Sequence, residues 1–351
     1  MTPEMKAFGG RRVSGARKVS VRAAANIAFV KYWGAREVAA GLPFNSSISM
    51  TLSRCTSHCT AEFDPEADRD EVYEAGERGE LRPPPAGWTA PVLAHLDRIR
   101  RWAGVQGAFR IATRNSFPAG AGLASSASGF AALTVAAAGA TARDADPADL
   151  SDLARQSGSG SAARSVLGGY VEWPADLGEV EAGRAPARRL HGPRHWDLRD
   201  VVALVETGPK AVSSREGHER VPTSPYFEAR LALLPARLDG ARRAVENKDF
   251  DALRTVLEEE AVDLHFLAMT ARPPFFYWTP ATLEVVGAVR DLGASGVDAA
   301  WTMDAGANVH VICSASAERP VVERLRTLSG VRSLIRDRVG PGPVETDDHL
   351  L

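Results

Sequence analysis

Residues 116–130 read Ser-Phe-Pro-Ala-Gly-Ala-Gly-Leu-Ala-Ser-Ser-Ala-Ser-Gly-Phe. This glycine turn runs into an Ala-rich stretch over 131–142 that predicts a closely packed helix. As glycines, Gly120 and Gly122 can take backbone angles that other residues avoid and would let the chain approach a ligand. The unpaired N–H groups of the first helical turn attract anions, and Ser125 and Ser126 add hydroxyls for phosphate oxygens or for the water shell of a metal. No Gly-Lys-Ser/Thr follows the glycines, so a Walker-type P-loop is excluded. A bare turn into a core helix explains the same letters without a ligand, so the rest of the chain has to decide.

On the N-terminal side, 19–30, 46–53 and 59–63 read as strands, 64–87 as a polar surface loop, 89–102 as a helix with one apolar face, and 109–113 as a strand. On the C-terminal side, Asp146 and Pro147 open another helix ending near Gly158, and 169–173 is a strand. A Gly/Pro/Arg-rich boundary follows over 174–196. A buried strand over 201–206, helical periodicity over 225–268 and 280–292, a strand-turn-strand over 299–312 and a short helix over 319–328 complete an α+β second half. The division expected is a basic arm over 1–18, a first lobe over 19–196, a second over 197–340 and a tail over 341–351.

The chain has 351 residues, 44% hydrophobic and 25% charged, enough for a large core and two lobes. A formal net charge of -2 gives no reason to expect nucleic acid as a partner. No apolar run approaches the ~20 residues that span a bilayer, and the arm lacks the apolar stretch of a secretory signal. Three cysteines form no disulfide framework and suit a reducing cytoplasm. Cys55, His58 and Cys59 lie in a strand-like stretch with no second ligand pair downstream, which argues against zinc.

Four further stretches carry the chemistry. Asn26–Trp33 places Lys31, one of five lysines, among apolar residues, where its charge is costly unless an anion pairs with it. Ser159, Ser161 and Arg164 bring two hydroxyls and a guanidinium together among small residues. Asp304, before Ala305-Gly306, ends a strand-like segment at a turn, a usual place for a catalytic group; an Asx turn is the plainer alternative. Ser213-Ser214-Arg215 offers another hydroxyl and guanidinium, whereas His265 reads as structural.

In this order the motifs Asn26-Ile-Ala-Phe-Val-Lys-Tyr-Trp-Gly34, Leu42 to Leu52, Phe117 to Gly129, Gly158-Ser-Gly-Ser-Ala-Ala-Arg164, Ser213-Ser-Arg-Glu-Gly217, Pro273 to Tyr277 and Asp304-Ala-Gly306 resemble the mevalonate diphosphate decarboxylases of the GHMP kinase superfamily. The resemblance implies an α+β, GHMP-kinase-like two-lobed fold with mixed and antiparallel sheets and helices around a deep cleft. It implies an ATP-dependent decarboxylase that needs Mg2+, the metal coming mainly through ATP, and a cytoplasmic homodimer. By the same resemblance Asp304 would stand near the C3 hydroxyl as general base or as stabilising anion, Lys31 would pair with it, Arg164 would hold the substrate carboxylate and Ser214 would orient the reacting groups. Asn26, Tyr32, Ser159, Ser161 and Arg215 would contact the substrate, and Gly120, Gly122, Ser125 and Ser126 the ATP phosphates. One departure stands out: the family usually continues Lys-Tyr-Trp-Gly-Lys-Arg, and this chain has Gly34-Ala35-Arg36. Either Arg36 or Arg215 compensates, or the substrate carries less charge, as mevalonate 5-phosphate does. A kinase that stops after phosphorylation and a non-catalytic binding protein are the other readings.

Overall fold

The computed structural model describes residues 15–38, 41–117, 125–175, 183–208 and 210–351. Its first lobe contains β1 (Arg17–Val30), the short pair β2 (Ala35–Glu37) and β3 (Leu42–Pro43), β4 (Ser47–Asp64), β5 (Glu71–Ala75), β6 (Leu81–Arg82), α1 (Thr89–Ala103) and β7 (Ala108–Asn115). It continues with α2 (Ser125–Ala140), α3 (Pro147–Arg155), α4 (Ala162–Ser165), β8 (Tyr170–Trp173) and β9 (Arg188–His191). The second lobe contains β10 (Leu198–Leu204), α5 (Ser214–Arg220), α6 (Phe227–Asn247), α7 (Phe250–Thr270), α8 (Pro280–Ala294), β11 (Ala299–Thr302), β12 (Val309–Ser314), α9 (Glu318–Arg326) and β13 (Ser333–Arg338), and the chain returns to the first lobe as β14 (Val344–Glu345).

The large sheet runs β14-β1-β4-β7-β5-β6, with β8 on β4 and β9 on β8. It is mixed, since β5 lies parallel to β7 whereas β1 and β4 are antiparallel. Val19, Val21 and Ala23 of β1 pack against Ala131, Ala132, Ala136, Ala137 and Ala140 of α2. Small side chains on both surfaces bring helix and sheet close, which is why an alanine run makes a core helix here. The β1–β4 register breaks between Ala24 and Asn26 and again between Ala28 and Val30. Such irregularities re-aim side chains, and they occur just where Asn26 and Lys31 turn towards the cleft.

The second sheet, β11-β12-β10-β13, is antiparallel throughout. One face packs on α8 and α9 through Val201, Trp301, Val311, Val289 and Val321. The other shares a core with the first lobe: Ile27, Phe29 and Met50 meet Val202, Ile312, Leu238 and Leu257 in one cluster. The lobes are therefore joined by packing as well as by the chain.

Several boundaries differ from the expectations. The stretches 46–53 and 59–63 belong to one long strand, and the polar loop over 64–87 contains β5 and β6. The helix opened by Pro147 stops at Arg155, and the presumed boundary 174–196 contains β9. The helical run 225–268 is two helices: Lys248 takes a left-handed φ of 56°, and Asp249 caps α7 by accepting from Ala252 N–H. The arm lies outside the described residues up to residue 14, and Arg17 and Lys18 already belong to β1. The expected tail is docked: Val344 and Glu345 pair with Arg22 and Val21, Asp348 pairs with Arg22, and His349 bonds Ser20.

Candidate active site

Lys31 is the residue after β1, and only 1% of it is exposed. Its ammonium donates to Ala28 O at 2.8 Å and to Asp304 Oδ1 at 3.0 Å. Asp304 follows β11 in the turn to β12, so the pair joins the two lobes. Burial pushes the Asp304 carboxyl up, but Lys31, His310 and Arg164 together hold it below the usual carboxylate range. Its side chain keeps 28% exposure, so a charged carboxylate faces the cleft.

Arg164 in α4 is 2% exposed. Its Nε donates to Ser49 Oγ at 3.0 Å, Nη2 to Asn26 Oδ1 at 3.1 Å, and Nη1 to Ser47 Oγ. Ser47 and Ser49 alternate along β4, so both hydroxyls point to one face. Asn26 is fixed in turn by donating to Ser165 Oγ at 2.8 Å and to Ser161 O at 3.1 Å. Among the described residues all these partners of the guanidinium are neutral, and burial pushes its pKa down to about 10. A desolvated cation with only neutral partners is a site that an anion completes.

Asn26, Tyr32, Ser126, Ser159, Ser161, Arg164, Ser214, Arg215 and Asp304 line one cleft of ≈ 270 Å³, with Lys31 behind Asp304. Ser126 links the start of α2 to the Ser159 loop, Oγ to Oγ, at 3.2 Å. Ser125 lines an adjoining, mostly apolar hollow of ≈ 190 Å³ between α1 and α2, which shares Pro91, Ser126 and Phe130 with the cleft. Gly120 and Gly122 lie outside the described residues. Of the two arginines expected to compensate for Ala35, Arg215 lines the cleft, whereas the Arg36 guanidinium lies over the Phe44 ring at 5.7 Å. Its aliphatic stem and delocalised charge favour that aromatic face.

Other residues enter the site that the sequence reading missed. His218 of α5 lines the cleft, its ring 4.2 Å from that of Tyr32, and its Nδ1 accepts from Gly34 N–H at 3.1 Å. That bond leaves the proton on Nε2, and burial lowers its pKa to about 4, so the imidazole is neutral. Lys210 lines the cleft and donates to Ser214 Oγ at 3.4 Å, with its pKa lowered by burial. Its scarcity as a lysine was the available signal. Glu260 is fully buried on α7 in the apolar stripe Val256, Leu257, Ala261 and Leu264. A carboxylate at that helical spacing marks a polar duty inside the core. His265, on the same helix, is buried, with burial lowering its pKa to about 3.

Two α+β lobes around a cleft lined by a buried guanidinium, with a cross-lobe Lys–Asp pair, define a GHMP-kinase-like protein. The family description for the diphosphomevalonate decarboxylase-like N-terminal domain matches residues 23–182, and that for the mevalonate 5-diphosphate decarboxylase C-terminal domain matches 201–343. The diphosphomevalonate decarboxylase of Candida albicans is 32% identical, over 94% of this chain and 98% of its own. The phosphomevalonate decarboxylase of Haloferax volcanii is 34% identical, over 80% of this chain and 84% of its own. A solved structure, MDDEF in complex with MVAPP, AMPPCP and magnesium, superimposes with a TM-score of 0.84 at 32% identity, covering 95% of this chain and all of that one. The chain belongs to the diphosphomevalonate decarboxylase family.

Proposed function

We propose that this protein decarboxylates mevalonate 5-diphosphate with ATP, yielding isopentenyl diphosphate, ADP, phosphate and CO2. The observation that carries the reading is the charge arrangement of the cleft: a buried guanidinium with neutral partners across from an ionised Asp304 backed by Lys31. The γ-phosphoryl passes to the C3 oxygen as its bond to ADP breaks and the hydroxyl proton is released to water, turning a poor leaving group into a good one. Phosphate then departs with the C–O bonding pair, positive charge builds at C3, and the C1–C2 pair moves to form the C2=C3 double bond as CO2 leaves.

Arg164 holds the substrate carboxylate until it is lost. Asp304, held ionised, is a weak base at neutral pH, which favours its service as an anion beside the positive charge at C3. Lys31 keeps Asp304 ionised and offsets charge on the incoming phosphoryl, and Ser214 orients the reacting groups. The start of α2, with Ser125 and Ser126, supports the nucleotide phosphates, and the apolar hollow beside it suits a nucleotide base. Mg2+ would enter on the ATP phosphates, whose charge it would neutralise when bound.

Ala35 supports a second substrate, mevalonate 5-phosphate: Arg36 packs on Phe44 and His218 is neutral, which leaves Arg164, Lys210 and Arg215 as the cations that line the cleft among the described residues. A coupled assay with mevalonate, its 5-phosphate and its 5-diphosphate, following ADP and CO2 together, separates the readings. ADP and CO2 in equal amounts from the diphosphate support the proposal; ADP without CO2 marks a kinase, and preference for the monophosphate marks the second substrate.

The protein acts as a homodimer in the cytoplasm. Tyr226, Leu233, Val262 and Phe266 are exposed apolar side chains on neighbouring helices, which supports pairing of two copies. Free, buried Cys55, Cys59 and Cys313 fit a reducing compartment, and among the described residues no helix is long and apolar enough to cross a membrane. Sedimentation velocity tests the dimer.

A further inference from the structure

The sheet pairing of β1 with β4 ends at Val30 opposite Ile48, so the peptide groups of Lys31 leave the ladder inside the core. Buried backbone donors and acceptors need partners, and here they come from side chains. Glu260 Oε2 on α7 accepts from Lys31 N–H at 2.8 Å. Lys31 O accepts from Arg230 Nη2 on α6 at 3.1 Å and from Asn45 Nδ2 at 2.9 Å. Arg230 Nη2 also donates to Glu260 Oε2 at 2.9 Å, and Arg237 Nη1 donates to Glu260 Oε1 at 2.8 Å.

We propose that Glu260 and Arg230 are positioning residues for the reaction, which set the location of the Lys31 ammonium by gripping its main chain from the second lobe. Neither side chain lines the cleft, so neither touches substrate. Their effect passes through the peptide of Lys31 to a side chain that must stay 3.0 Å from Asp304. A shift of ~1 Å in a catalytic group costs on the order of 10²-fold in rate. A grip from α6 and α7 also makes the placement of a first-lobe lysine depend on the element that packs beside Asp304, so both halves of the pair are referenced to the same lobe. The proposal rests on the reading of Lys31 as catalytic.

The test compares Glu260→Gln, Lys31→Met and the double variant Glu260→Met/Arg230→Met. The double variant removes both charges at once, and Arg237 keeps Glu259 and Asp263 as partners, so no buried ion is orphaned. Glutamine keeps an acceptor for Lys31 N–H. The double variant is expected to melt cooperatively, to keep KM for ATP and phosphorylated mevalonate within about threefold, and to lose ~10–100-fold in kcat, with Glu260→Gln in between.

A displaced Lys31 also moves the acid limb of kcat upward, because Asp304 loses its strongest attraction. Among the described residues the titratable groups that interact with Asp304 are Lys31, Arg164, His310, Lys210, His265 and Asp200. In a folded double variant, wild-type kcat, a loss carried by KM, or an acid limb below pH ~5 that stays unmoved overturns the proposal. Should the double variant not fold, Glu260→Gln decides on the same readouts. Wild-type turnover in Lys31→Met overturns the reading of Lys31 itself, whereas an inactive Lys31→Met beside a fully active Glu260→Gln overturns this proposal alone.

Discussion

At the scale of single residues, the site is a problem in hiding charge. Arg164 spends its donors on Asn26, Ser47 and Ser49, whose fixed oxygens hold the planar fork in one orientation. Lysine carries a point charge on a flexible stem and does not satisfy that set, so Arg164→Lys is expected to lower kcat/KM at least ~100-fold while ATP binding, measured by calorimetry, stays near wild type. Asp304 sets the second expectation. Its carboxyl is depressed in the folded protein, so its stabilising contribution is present above the unfolded value of ~3.9 and is lost as pH falls through the lower folded value. Between pH 5 and 8 its charge is constant, and a pH–kcat profile whose acid limb lies above pH ~5 would assign that limb to another group. Lys31, Arg164 and Asp304 were visible in the sequence because rare charges sat among apolar or small residues. Glu260 and Ser47 were not, since a carboxylate or hydroxyl in an amphipathic segment looks solvated until the packed face is known.

At the scale of elements, α5 shows how tightly the cleft wall is set. A methyl on Gly217 would lie 2.4 Å from the Trp33 indole, so Gly217→Ala must tilt α5 and with it Ser214, Arg215 and His218. The expected outcome is a loss of ~1–3 kcal/mol in denaturant titration together with a raised KM. Asp249→Ala is the contrast: it deletes the cap of α7 and costs about 1 kcal/mol in the same titration, with KM unchanged because the cap lies about three turns from Glu260, which sits midway along the helix. Periodicity revealed the long helices, but it merged α6 with α7 because their junction is a left-handed Lys248 and not a glycine or proline. It also passed over β5 and β6, whose few polar residues become strands through β7 and each other.

At the scale of the whole molecule, a shared core and a Lys–Asp pair 273 residues apart in sequence unite the lobes, and the chain end then crosses back to the first sheet. Ending the chain after Pro343 removes β14, the Arg22–Asp348 pair and the Ser20–His349 bond. The shortened protein is expected to melt several degrees lower by calorimetry, yet to keep KM for both substrates, because none of these contacts touches the cleft. The α+β class, most of the turns and the kinds of chemistry at hand were legible along the chain: an anion-attracting helix start, a stranded lysine, an arginine among serines and an aspartate at a turn. These are local properties, governed by backbone stereochemistry and by which side chains repeat every two or 3.6 residues. Folding in three dimensions set which charges meet, the neutral hydrogen-bond partners of Arg164, the turn of Arg36 to Phe44 and the grip of Glu260 on Lys31. The energy of a buried charge depends on what approaches it through space, and Ser49 lies 115 residues from Arg164, while Glu260 and Asp304 lie 229 and 273 residues from Lys31.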